Sequence, residues 1–469
     1  MYSIGLNPRL YKYMEPTLMP NGTEMVSAYC RFPDVRTSAC MRLGREGKSS
    51  NAAALQRGCP TLGHGWVLDV AVENVPRARL VRRARRLRAR WKRAPQATSA
   101  AAAPPPTQPL QGTNASAVRG LDVDVIVLML DSISMRRFAH GMPITHALLE
   151  QWAGADGSSP WRSFRFDKFA VVGSNSPRNQ LPLMSGYTSL EWARDHGGLA
   201  LDCIVPGFPE VRAPRSHVCQ RWVFDDYKAA GYVTLFGTNM CDWGVMEEVY
   251  PFDTHHPPTD HHLMEPWCHV DYDVDKLYFR PMSRCLGGRP AHAPLMHYER
   301  QFARNYAHVR TLQWTIYLEG HEPSFRSMGQ LDADLAAHLL RLRADHAERT
   351  AVLLLSDHGI HYGRYYDGAK AGPQEHTLPL FYALLPRSLL AQRPALKAAL
   401  CMNQRRLVSP FDVHATLRHI LVYPDTPKLP DWSIATYPLR PRSLLEPIPA
   451  ERTCVEAGVP PDVCPCQQQ

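Results

Sequence analysis

The stretch Asp124–Leu130, with the sequence DVIVLML, decides the fold of this chain, and Asp131 and Ser132 follow it directly. The run is rich in β-branched residues and apolar almost throughout, which is typical of a strand that is buried on both faces of a sheet. Two further runs have the same character, namely Thr350–Leu355 (TAVLLL) and Leu378–Leu385 (LPLFYALL). These runs predict the central strands of an α/β domain.

Helical patterns lie between the strand-like runs. Leu331, Leu335, Leu339 and Leu342 recur at helical spacing, with charged residues on the other faces. Strands that alternate with helices predict an α/β sandwich with a mostly parallel central sheet flanked by helices on both sides. We place this sheet in one large domain over residues 121–445.

The rest of the chain has a different composition. Residues 1–76 are irregular and contain cysteines, and residues 77–120 combine a basic run with a linker rich in Ala, Pro and Ser. Residues 446–469 form a cysteine-rich tail. We therefore expect a small amino-terminal region, a basic run with a linker, one large catalytic domain over residues 121–445 and a tail.

The net charge of +9 comes almost entirely from residues 77–93, which hold nine Arg and one Lys and no acid. Basic runs of this kind contact nucleic acid or anionic membrane surfaces. Since nothing in the large domain resembles a nucleic-acid module, we predict no specific nucleic-acid binding. Membrane-surface contact through 77–93 stays open, and an unstructured, processed segment is the favoured interpretation.

Cysteine usage and sequons favour a secretory or extracellular location. Twelve cysteines without a Cys-x-x-Cys pair indicate disulfides rather than zinc ligands. Asn21 and Asn114 begin glycosylation triplets, which predict a glycoprotein. Residues 1–16 do not resemble a signal peptide, and no apolar run approaches the 18 residues of a transmembrane helix. The cysteines predicted to be bridged are Cys241, Cys268, Cys285, Cys454, Cys464 and Cys466. The oligomeric state is left open.

Two strand-like runs end in metal-ligating residue types. Asp131-Ser132 follows the first run, and Ser356-Asp357-His358-Gly359 follows another. The carboxyl ends of parallel strands lie at one edge of a sheet, so both acids are expected there together. Two carboxylates and an imidazole suit one divalent ion, with zinc or manganese favoured over calcium or magnesium. In the alternative interpretation Asp131 caps a helix and Asp357-His358 forms an ordinary turn.

A third segment, Gly173–Gly186 with the sequence GSNSPRNQLPLMSG, supplies a candidate nucleophile. A serine at a helix amino terminus has backbone amides nearby that receive an anionic oxygen. A divalent metal beside Ser176 would lower the pKa of its hydroxyl and activate it for attack. Alternatively, Ser174 or Ser176 only caps the helix.

Together these motifs resemble the alkaline phosphatase/sulfatase superfamily, and most closely the sulfatase-like branch catalogued as domain of unknown function 229. The resemblance covers about residues 121–466 and includes a block similar to Val-Gly-x-Asn-Thr-x-x-Asn…Pro-Leu-x-x-Gly of that branch. The motifs that carry it are Asp131-Ser132, Val172-Gly-Ser-Asn-Ser-Pro-Arg-Asn179, Pro182-Leu-Met-Ser-Gly186, Cys285-Leu-Gly-Gly-Arg-Pro290, Ser356-Asp-His-Gly359, Pro410-Phe-Asp-Val-His-Ala-Thr-Leu417 and Cys464-Pro-Cys466.

The resemblance implies roles for individual residues. Asp131, Asp357 and His358 match the metal ligands, and Ser176 takes the place of a threonine nucleophile that also binds the metal. His321 and His376 resemble histidines that contact the transferred group or bind a second metal, with a solvent-facing loop position as the alternative for each. The residues implied for substrate binding are Arg178, for which a surface salt bridge is the alternative, and Asn179.

Two departures from the superfamily limit the function. Tyr317 stands where two-metal members carry a second carboxylate, so one metal is expected, although Glu319 could substitute. Neither Ser174 nor Ser176 has the Pro and Arg spacing that sulfatases need to form formylglycine. The resemblance therefore implies an enzyme that acts on ester bonds. Its expected activity is that of a metal-dependent phosphoester hydrolase or phospho-group transferase, which attacks an anionic ester through a covalent Ser176 intermediate. A sulfuric ester hydrolase and a catalytically degenerate binding module are the alternatives. Asp412 and His414 are predicted to be structural.

Overall fold

A seven-stranded sheet forms the centre of the protein in the computed structural model, which describes residues 17–18, 23–31, 66–74, 76–93, 119–154, 159–187, 222–239, 258–263, 285–286, 289–427, 429 and 439–465. The strand order is β5-β12-β11-β4-β10-β6-β7, and only β12 runs antiparallel to its neighbours in this sheet. The strands are β4 (Asp124–Leu130), β5 (Trp161–Arg165), β6 (Tyr232–Thr238), β7 (His261–Leu263), β10 (Arg310–Tyr317), β11 (Thr350–Leu355) and β12 (Phe381–Pro386).

The central strands are buried on both faces, as their apolar runs predict. All seven residues of β4 are buried. Val125, Val127 and Met129 enter the hydrophobic core on one face of the sheet, and the alternate residues enter the core on the other face. This alternation is the two-residue period of an extended strand, so each β4 side chain contributes to one of two cores.

Helices cover both faces and complete a three-layer α/β/α architecture, which confirms the predicted fold class. Leu331, Leu335, Leu339 and Leu342 lie in one helix and pack into the core of the second face. The helices are α1 (Ala78–Arg93), α2 (Met135–Gly141), α3 (Pro143–Ala153), α4 (Ser176–Ser185), α5 (Val223–Ala229), α6 (His292–Asn305), α7 (Arg326–His346), α8 (Gly363–Gly368), α9 (Ala371–Thr377), α10 (Arg387–Gln392), α11 (Pro394–Asn403) and α12 (Pro410–Val422).

The basic run forms helix α1, which packs against the large domain, so the expectation of an unstructured segment is wrong. Leu80 and Ala84 are buried in the core of the second face. Arg83 makes two 2.6 Å hydrogen bonds to the carboxylate of Asp260. Gly231 allows the close approach, because a Cβ there would lie 2.4 Å from a backbone nitrogen of α1. Basic side chains of the run therefore help to hold the helix in place.

Smaller elements flank the sheet. Strands β1 (Thr17–Leu18), β2 (Thr23–Arg31) and β3 (Trp66–Asn74) form an antiparallel sheet, and β8 (Cys285–Leu286) pairs with β9 (Arg289–Pro290). Asn74 connects β3 to helix α6, because its backbone amide donates a 2.8 Å hydrogen bond to Gln301 Oε1. No helix in the described part of the chain is long and apolar enough to cross a membrane.

One of the predicted disulfides lies in the described tail. Cys454 and Cys464 are bonded, and both pack into a third hydrophobic cluster with Phe411. Cys401 is an unbridged cysteine of the described residues. Several sequence predictions concern positions or side chains outside the described residues: Asn21, Asn114, Cys241, Cys268, Cys285 and Cys466.

Candidate active site and metal centre

The carboxyl ends of β4, β10 and β11 meet at one edge of the sheet, and the predicted metal ligands lie there. The Asp131 amide donates to the carbonyl of Tyr317 at 2.9 Å. The Ser132 amide donates to Asp357 Oδ1 at 3.2 Å, across 225 residues of sequence. The expectation that both acids share one edge is confirmed by this contact, and it follows from the parallel pairing of β11 with β4.

Asp131, Asp357 and His358 offer ligand atoms that all lie within 4.8 Å of one another. All three side chains are buried. Two carboxylates converging without a compensating cation would repel each other in a low-dielectric interior. An imidazole and two carboxylates at this separation suit a divalent ion that accepts oxygen and nitrogen ligands, so these residues fit the metal implied by the resemblance.

Neighbouring hydrogen bonds orient each of these ligands. The Ser132 hydroxyl donates to Asp131 Oδ1 at 2.7 Å. The Gln180 amide donates to Asp357 Oδ2 at 2.7 Å. His358 Nδ1 lies 2.8 Å from the carbonyl of Gly359, which can only accept, so this nitrogen carries the proton. In the neutral ring, the other nitrogen, Nε2, then keeps a lone pair for a metal ion.

Asp357 is held in its ionised form. Complete burial by itself would raise the pKa of this carboxyl group. The charge of His358 and hydrogen bonds from the Gln180 side chain, the Ser132 amide and the Ser176 hydroxyl outweigh burial and hold the pKa of Asp357 below its ordinary value. A charged carboxylate is the form that binds a metal ion.

Ser176 is the first residue of α4 and points toward the ligand cluster. Its Oγ lies 3.1 Å from His358 Nε2. Asn175 precedes it with extended backbone, and proline at the second helical position suits the first turn. Ser174, the other candidate, is exposed. The positive end of the helix dipole and the amides of its first turn lie beside the Ser176 hydroxyl.

Asn179, predicted to bind substrate, forms hydrogen bonds to the backbone of its own loop. Its Oδ1 accepts from the amides of Val172 and Gly173, at 2.8 and 3.2 Å. Its Nδ2 donates to the carbonyls of Gly173 and Asn175, at 3.0 and 2.9 Å. Both polar atoms of the buried side-chain amide, Oδ1 and Nδ2, thus form hydrogen bonds to the loop before α4. Asn179 therefore positions the loop that leads to Ser176, and its contact with substrate stays a prediction.

Arg178, the second predicted substrate-binding residue, is half-buried in the first turn of α4. Its side chain lies across the backbone of Gly173, where an added Cβ would be only 2.3 Å from Arg178 Cβ. The side chain is therefore beside the nucleophile loop. Its contact with substrate stays a prediction.

The predicted histidines belong to a cluster of rings around His358. The His376 ring lies 5.7 Å from that of His358, and its Nε2 is 3.1 Å from the carbonyl of Ser174. The His321 ring lies 6.0 Å from that of His361. His361 was not among the site residues predicted from the sequence. Ligand atoms of His358, His361 and His376 also lie within 4.8 Å of one another. The spacing Asp357-His-Gly-Ile-His361 is the sequence signal that could have found this residue.

Two of these imidazoles are neutral at neutral pH. Burial, together with the charge of His358, lowers the pKa of His361 to about 4. The same causes, with His361 added, lower the pKa of His376 to about 3. Neutral imidazoles keep a lone pair for hydrogen bonding or for coordination.

Gly359 and Glu375 fix the position of His376. The hydroxyl of Ser134 donates to Glu375 Oε2 at 3.0 Å, which ties helix α9 to the start of α2. A Cβ at Gly359 would lie 2.4 Å from the carbonyl oxygen of Glu375. The glycine of the Asp-His-Gly motif thus permits the chain after β11 to lie against the segment that carries His376.

Residues at the superfamily's second carboxylate position make other contacts. The Tyr317 hydroxyl donates to Glu299 Oε1 at 2.9 Å. Glu319 accepts from Asn239 Nδ2 at 2.8 Å and lies 3.1 Å from His292 Nδ1. Both side chains are engaged in buried networks on the α6 side of the sheet edge.

Asp412 is structural, as predicted. It completes a capping box with Ser409 at the start of α12. It also forms a buried bidentate pair with Arg452, with distances of 2.6 and 2.9 Å. His414 is buried beneath α4, and its Nδ1 lies 3.2 Å from the carbonyl of Leu183.

Several solved structures are similar to this chain at low sequence identity. The C-terminal periplasmic domain of EcEptC from Escherichia coli is 12% identical, with 71% of this chain and 88% of that chain covered and a TM-score of 0.43. An alkaline phosphatase superfamily protein from Vibrio parahaemolyticus is 14% identical, with 65% and 68% covered and a TM-score of 0.42. The lipoteichoic acid synthase LtaP from Listeria monocytogenes is 13% identical, with 70% and 80% covered and a TM-score of 0.41.

Sequence comparison is decisive at the family level. No curated protein matches the chain. A family profile, described as "Protein of unknown function (DUF229)", matches residues 86–469, which is well over half of the chain and includes α4, the Asp-His-Gly motif and the tail disulfide. The match confirms the resemblance inferred from the motifs, and the chain belongs to the DUF229 family.

Proposed function

We propose that the protein is a metal-dependent phosphoester hydrolase or phospho-group transferase that acts through a covalent Ser176 intermediate. The observation that carries the proposal is the 3.1 Å distance between Ser176 Oγ and His358 Nε2. It places a hydroxyl at a helix amino terminus beside the cluster of Asp131, Asp357 and His358. A nucleophile, an anion-receiving helix end and a metal-ligand set in one place suit transfer of an anionic group.

Asp131, Asp357, His358 and Ser176 would hold one divalent ion, with zinc or manganese favoured by the mixed oxygen and nitrogen donors. Such an ion supplies Lewis-acid stabilisation of the phosphoryl oxygens and favours the alkoxide form of Ser176. The protein's own contribution is the fixed geometry of these donors, which Ser132, Gln180 and the Gly359 carbonyl hold by hydrogen bonds.

In the first step, Ser176 Oγ forms a bond to phosphorus while the bond from phosphorus to the leaving alcohol oxygen breaks. Ser176 loses its hydroxyl proton to solvent, the departing alcohol oxygen takes up a proton from solvent, and the backbone amides of the first turn of α4 receive a phosphoryl oxygen. In the second step, the oxygen of water or of an acceptor alcohol bonds to phosphorus and loses a proton, while the bond from phosphorus to Ser176 Oγ breaks and Ser176 regains a proton. We assign His321 and His376 to hydrogen bonding of the leaving oxygen or the transferred group, because both rings border the cluster.

Phosphorus is favoured over sulfur by the sequence around the nucleophile. Ser176 is followed by Pro177 and Arg178, so it lacks the spacing that formylglycine formation needs. Ser176 is therefore expected to stay an unmodified serine, and hydroxyl nucleophiles suit phosphate esters.

A secretory or extracellular location is supported by the Cys454–Cys464 bond, since disulfides persist in oxidising compartments.

The test pairs the variants Ser176→Ala and Ser174→Ala, two serines of the same loop with one at the cluster and one exposed. Each protein is assayed with bis-p-nitrophenyl phosphate, p-nitrophenyl phosphate and p-nitrophenyl sulfate, and its metal content is measured by plasma mass spectrometry. We expect Ser176→Ala to lose about 10³-fold or more in turnover of the phosphate esters while it keeps most of its metal. Ser174→Ala should retain activity.

Three outcomes would decide against parts of the proposal. Full activity of Ser176→Ala would refute the nucleophile assignment. Turnover of the aryl sulfate alone would replace the phosphoesterase with a sulfuric ester hydrolase. Purified protein with less than about 0.1 equivalent of any divalent metal, and without activity when zinc or manganese is added, would indicate a binding module.

A further inference from the structure

A strongly basic cavity lies at the amino-terminal edge of the central sheet, opposite to the candidate active site. Its volume is about 340 Å³, within the range of small-molecule sites. Helix α1 forms one wall, and the residues at the starts of β4, β10 and β11 form the other. The charged residues that line it are Arg85, Arg88, Lys92, Asp122, Arg310 and Arg349.

Cations outnumber acids in this cavity. Asp122 is the carboxylate that lines it, and three cations already contact this one group: Arg88 at 2.7 Å, Lys92 at 2.8 Å and Arg310 at 3.0 Å. Burial would raise the pKa of Asp122, but the hydrogen bonds from these cations outweigh burial and lower it. The carboxylate is therefore ionised throughout the neutral range and cancels one positive charge.

One further cation is neutralised from behind the cavity. Arg349 pairs with Asp124, and its other nitrogens donate to the carbonyls of Ala307 and Val309. The cavity thus contains five basic side chains against Asp122 and Asp124, which leaves three positive charges in excess. Like charges held this close repel one another, and an added anion relieves that repulsion.

Donor groups remain available to such an anion. Arg85 is exposed, and within the described residues it makes no hydrogen bond or ion pair. Arg310 donates a hydrogen bond to Asp122 through its Nε alone, and its Nη1 lies 3.9 Å from Asp124 Oδ2, beyond hydrogen-bond distance. Lys92 keeps 39% of its side chain exposed. Guanidinium groups offer pairs of N–H donors that match the oxygens of phosphate and sulfate groups.

We propose that this cavity binds a compact polyanion that carries two or three phosphate or sulfate monoester groups, in addition to the ester bound at the catalytic edge. The seven residues of β4 separate the two places by roughly 20 Å along the strand, so one small ligand cannot occupy both. The ligand is either a soluble polyphosphorylated or polysulfated molecule or the headgroup of a lipid with the same groups.

The test measures binding directly, so it does not depend on the catalytic proposal. Full-length protein is titrated calorimetrically with myo-inositol hexasulfate at 150 mM salt. This probe has the required charge density and binds divalent cations weakly. Arg85→Glu reverses an exposed charge of the cavity, and Arg341→Glu makes the same change on the exposed surface of α7 as a matched control. Both substitutions suit a helix interior.

We expect one bound hexasulfate per chain, at least tenfold weaker binding for Arg85→Glu and at most twofold weaker binding for Arg341→Glu. Turnover of an aryl phosphate should be the same for both variants, because neither residue lies at the catalytic edge. Absence of binding at 1 mM probe would overturn the proposal. Unchanged binding by Arg85→Glu, or equal weakening by both variants, would overturn it as well.

A second arm identifies the source of the ligand. Vesicles of phosphatidylcholine with 5 mol% phosphatidylinositol 4,5-bisphosphate are compared with vesicles of phosphatidylcholine alone. Binding to the first only, with competition by hexasulfate, supports a lipid headgroup, whereas hexasulfate binding without vesicle binding supports a soluble ligand. Binding to a 20-base-pair DNA that is tighter than hexasulfate binding and equally sensitive to Arg85→Glu would overturn the compact ligand in favour of a nucleic-acid surface.

Discussion

Gln180 lies one helical turn beyond Ser176 on α4, and its Nε2 donates a 2.7 Å hydrogen bond to Asp357 Oδ2. One helix therefore carries both the proposed nucleophile and a residue that orients a proposed metal ligand. Residues four apart lie on the same face of a helix, which is why both side chains reach the cluster. A change of Gln180 should affect the metal centre without removing any residue that reacts.

We expect Gln180→Leu to weaken metal binding about 10- to 100-fold, because hydrogen bonds to a ligating carboxylate fix its orientation. The measurement is a competition between the protein and a zinc indicator, with kcat measured at saturating metal. Ser185→Ala on the same helix is the control, since Ser185 donates to the carbonyl of Leu181 and makes no described contact with the cluster. Equal metal affinity in wild type and Gln180→Leu would contradict this role.

His292 should make stability decrease at alkaline pH. Burial by itself would lower its pKa, but hydrogen bonds to Asp334 and Glu319 outweigh burial and raise the pKa of His292 to about 9. A folded pKa above the ordinary value of about 6.5 means that the stabilisation is complete below pH 6.5 and is lost as pH rises through 9. This pKa difference contributes about 3 kcal/mol at most to the free energy of unfolding.

Urea unfolding at pH 6.5 and pH 9.5 checks this dependence. We expect the free energy of unfolding of wild type to decrease over this interval by more than that of His292→Gln. His140→Gln is the control, because His140 is an exposed residue of α2. A pH dependence that is the same in wild type and His292→Gln would exclude the ionised His292 as its cause.

The buried pair of Asp412 and Arg452 should dominate the stability of the tail. Arg452→Met leaves the Asp412 carboxylate without its bidentate cation, and loss of one partner of a buried pair costs about 3–5 kcal/mol. The free energy of unfolding in urea measures the loss. Arg442→Met, an exposed arginine ten residues earlier, is expected to change it by less than about 0.5 kcal/mol.

A second variant distinguishes a charge effect from lost packing. Asp412→Asn combined with Arg452→Met removes the unpaired charge, so it should be more stable than Arg452→Met alone. If the double variant is less stable than the single one, the carboxylate contributes mainly as the cap of α12.

The Cys454–Cys464 bond should contribute about 3 kcal/mol, the chain-entropy value for a loop of this length. Cys454→Ala is expected to lower the melting temperature, and a reductant should have no further effect on that variant. Cys401→Ala is the matched control, since Cys401 is unbridged. A reductant-independent melting temperature in wild type would show that the bond does not stabilise the fold.

Local sequence was sufficient to predict the central strands and the sheet edge at which the candidate site lies. DVIVLML and TAVLLL are apolar enough to be buried on both faces, and β4 and β11 pair in parallel. Once two parallel strands are recognised, their carboxyl ends must share an edge, so the meeting of Asp131 and Asp357 could be predicted. Ser176 could be named as the candidate nucleophile because its motif resembles that of a known family.

Side-chain contacts between distant segments could not be predicted where strand pairing does not bring the segments together. Gln180 and Asp357 are 177 residues apart, and nothing near either residue indicates the other. The docking of α1 depends likewise on contacts between distant residues, such as the pair of Arg83 and Asp260, which are 177 residues apart.

The sequence by itself determined the class of fold and the sheet edge at which Asp131, Asp357 and His358 lie, because hydrophobic periodicity and strand direction are local properties of the chain. Only the tertiary structure decided the partners of each polar side chain. Those partners depend on distances across the sheet and between layers. For the same reason, only the tertiary structure shows that the basic run is a packed helix that lines a cavity.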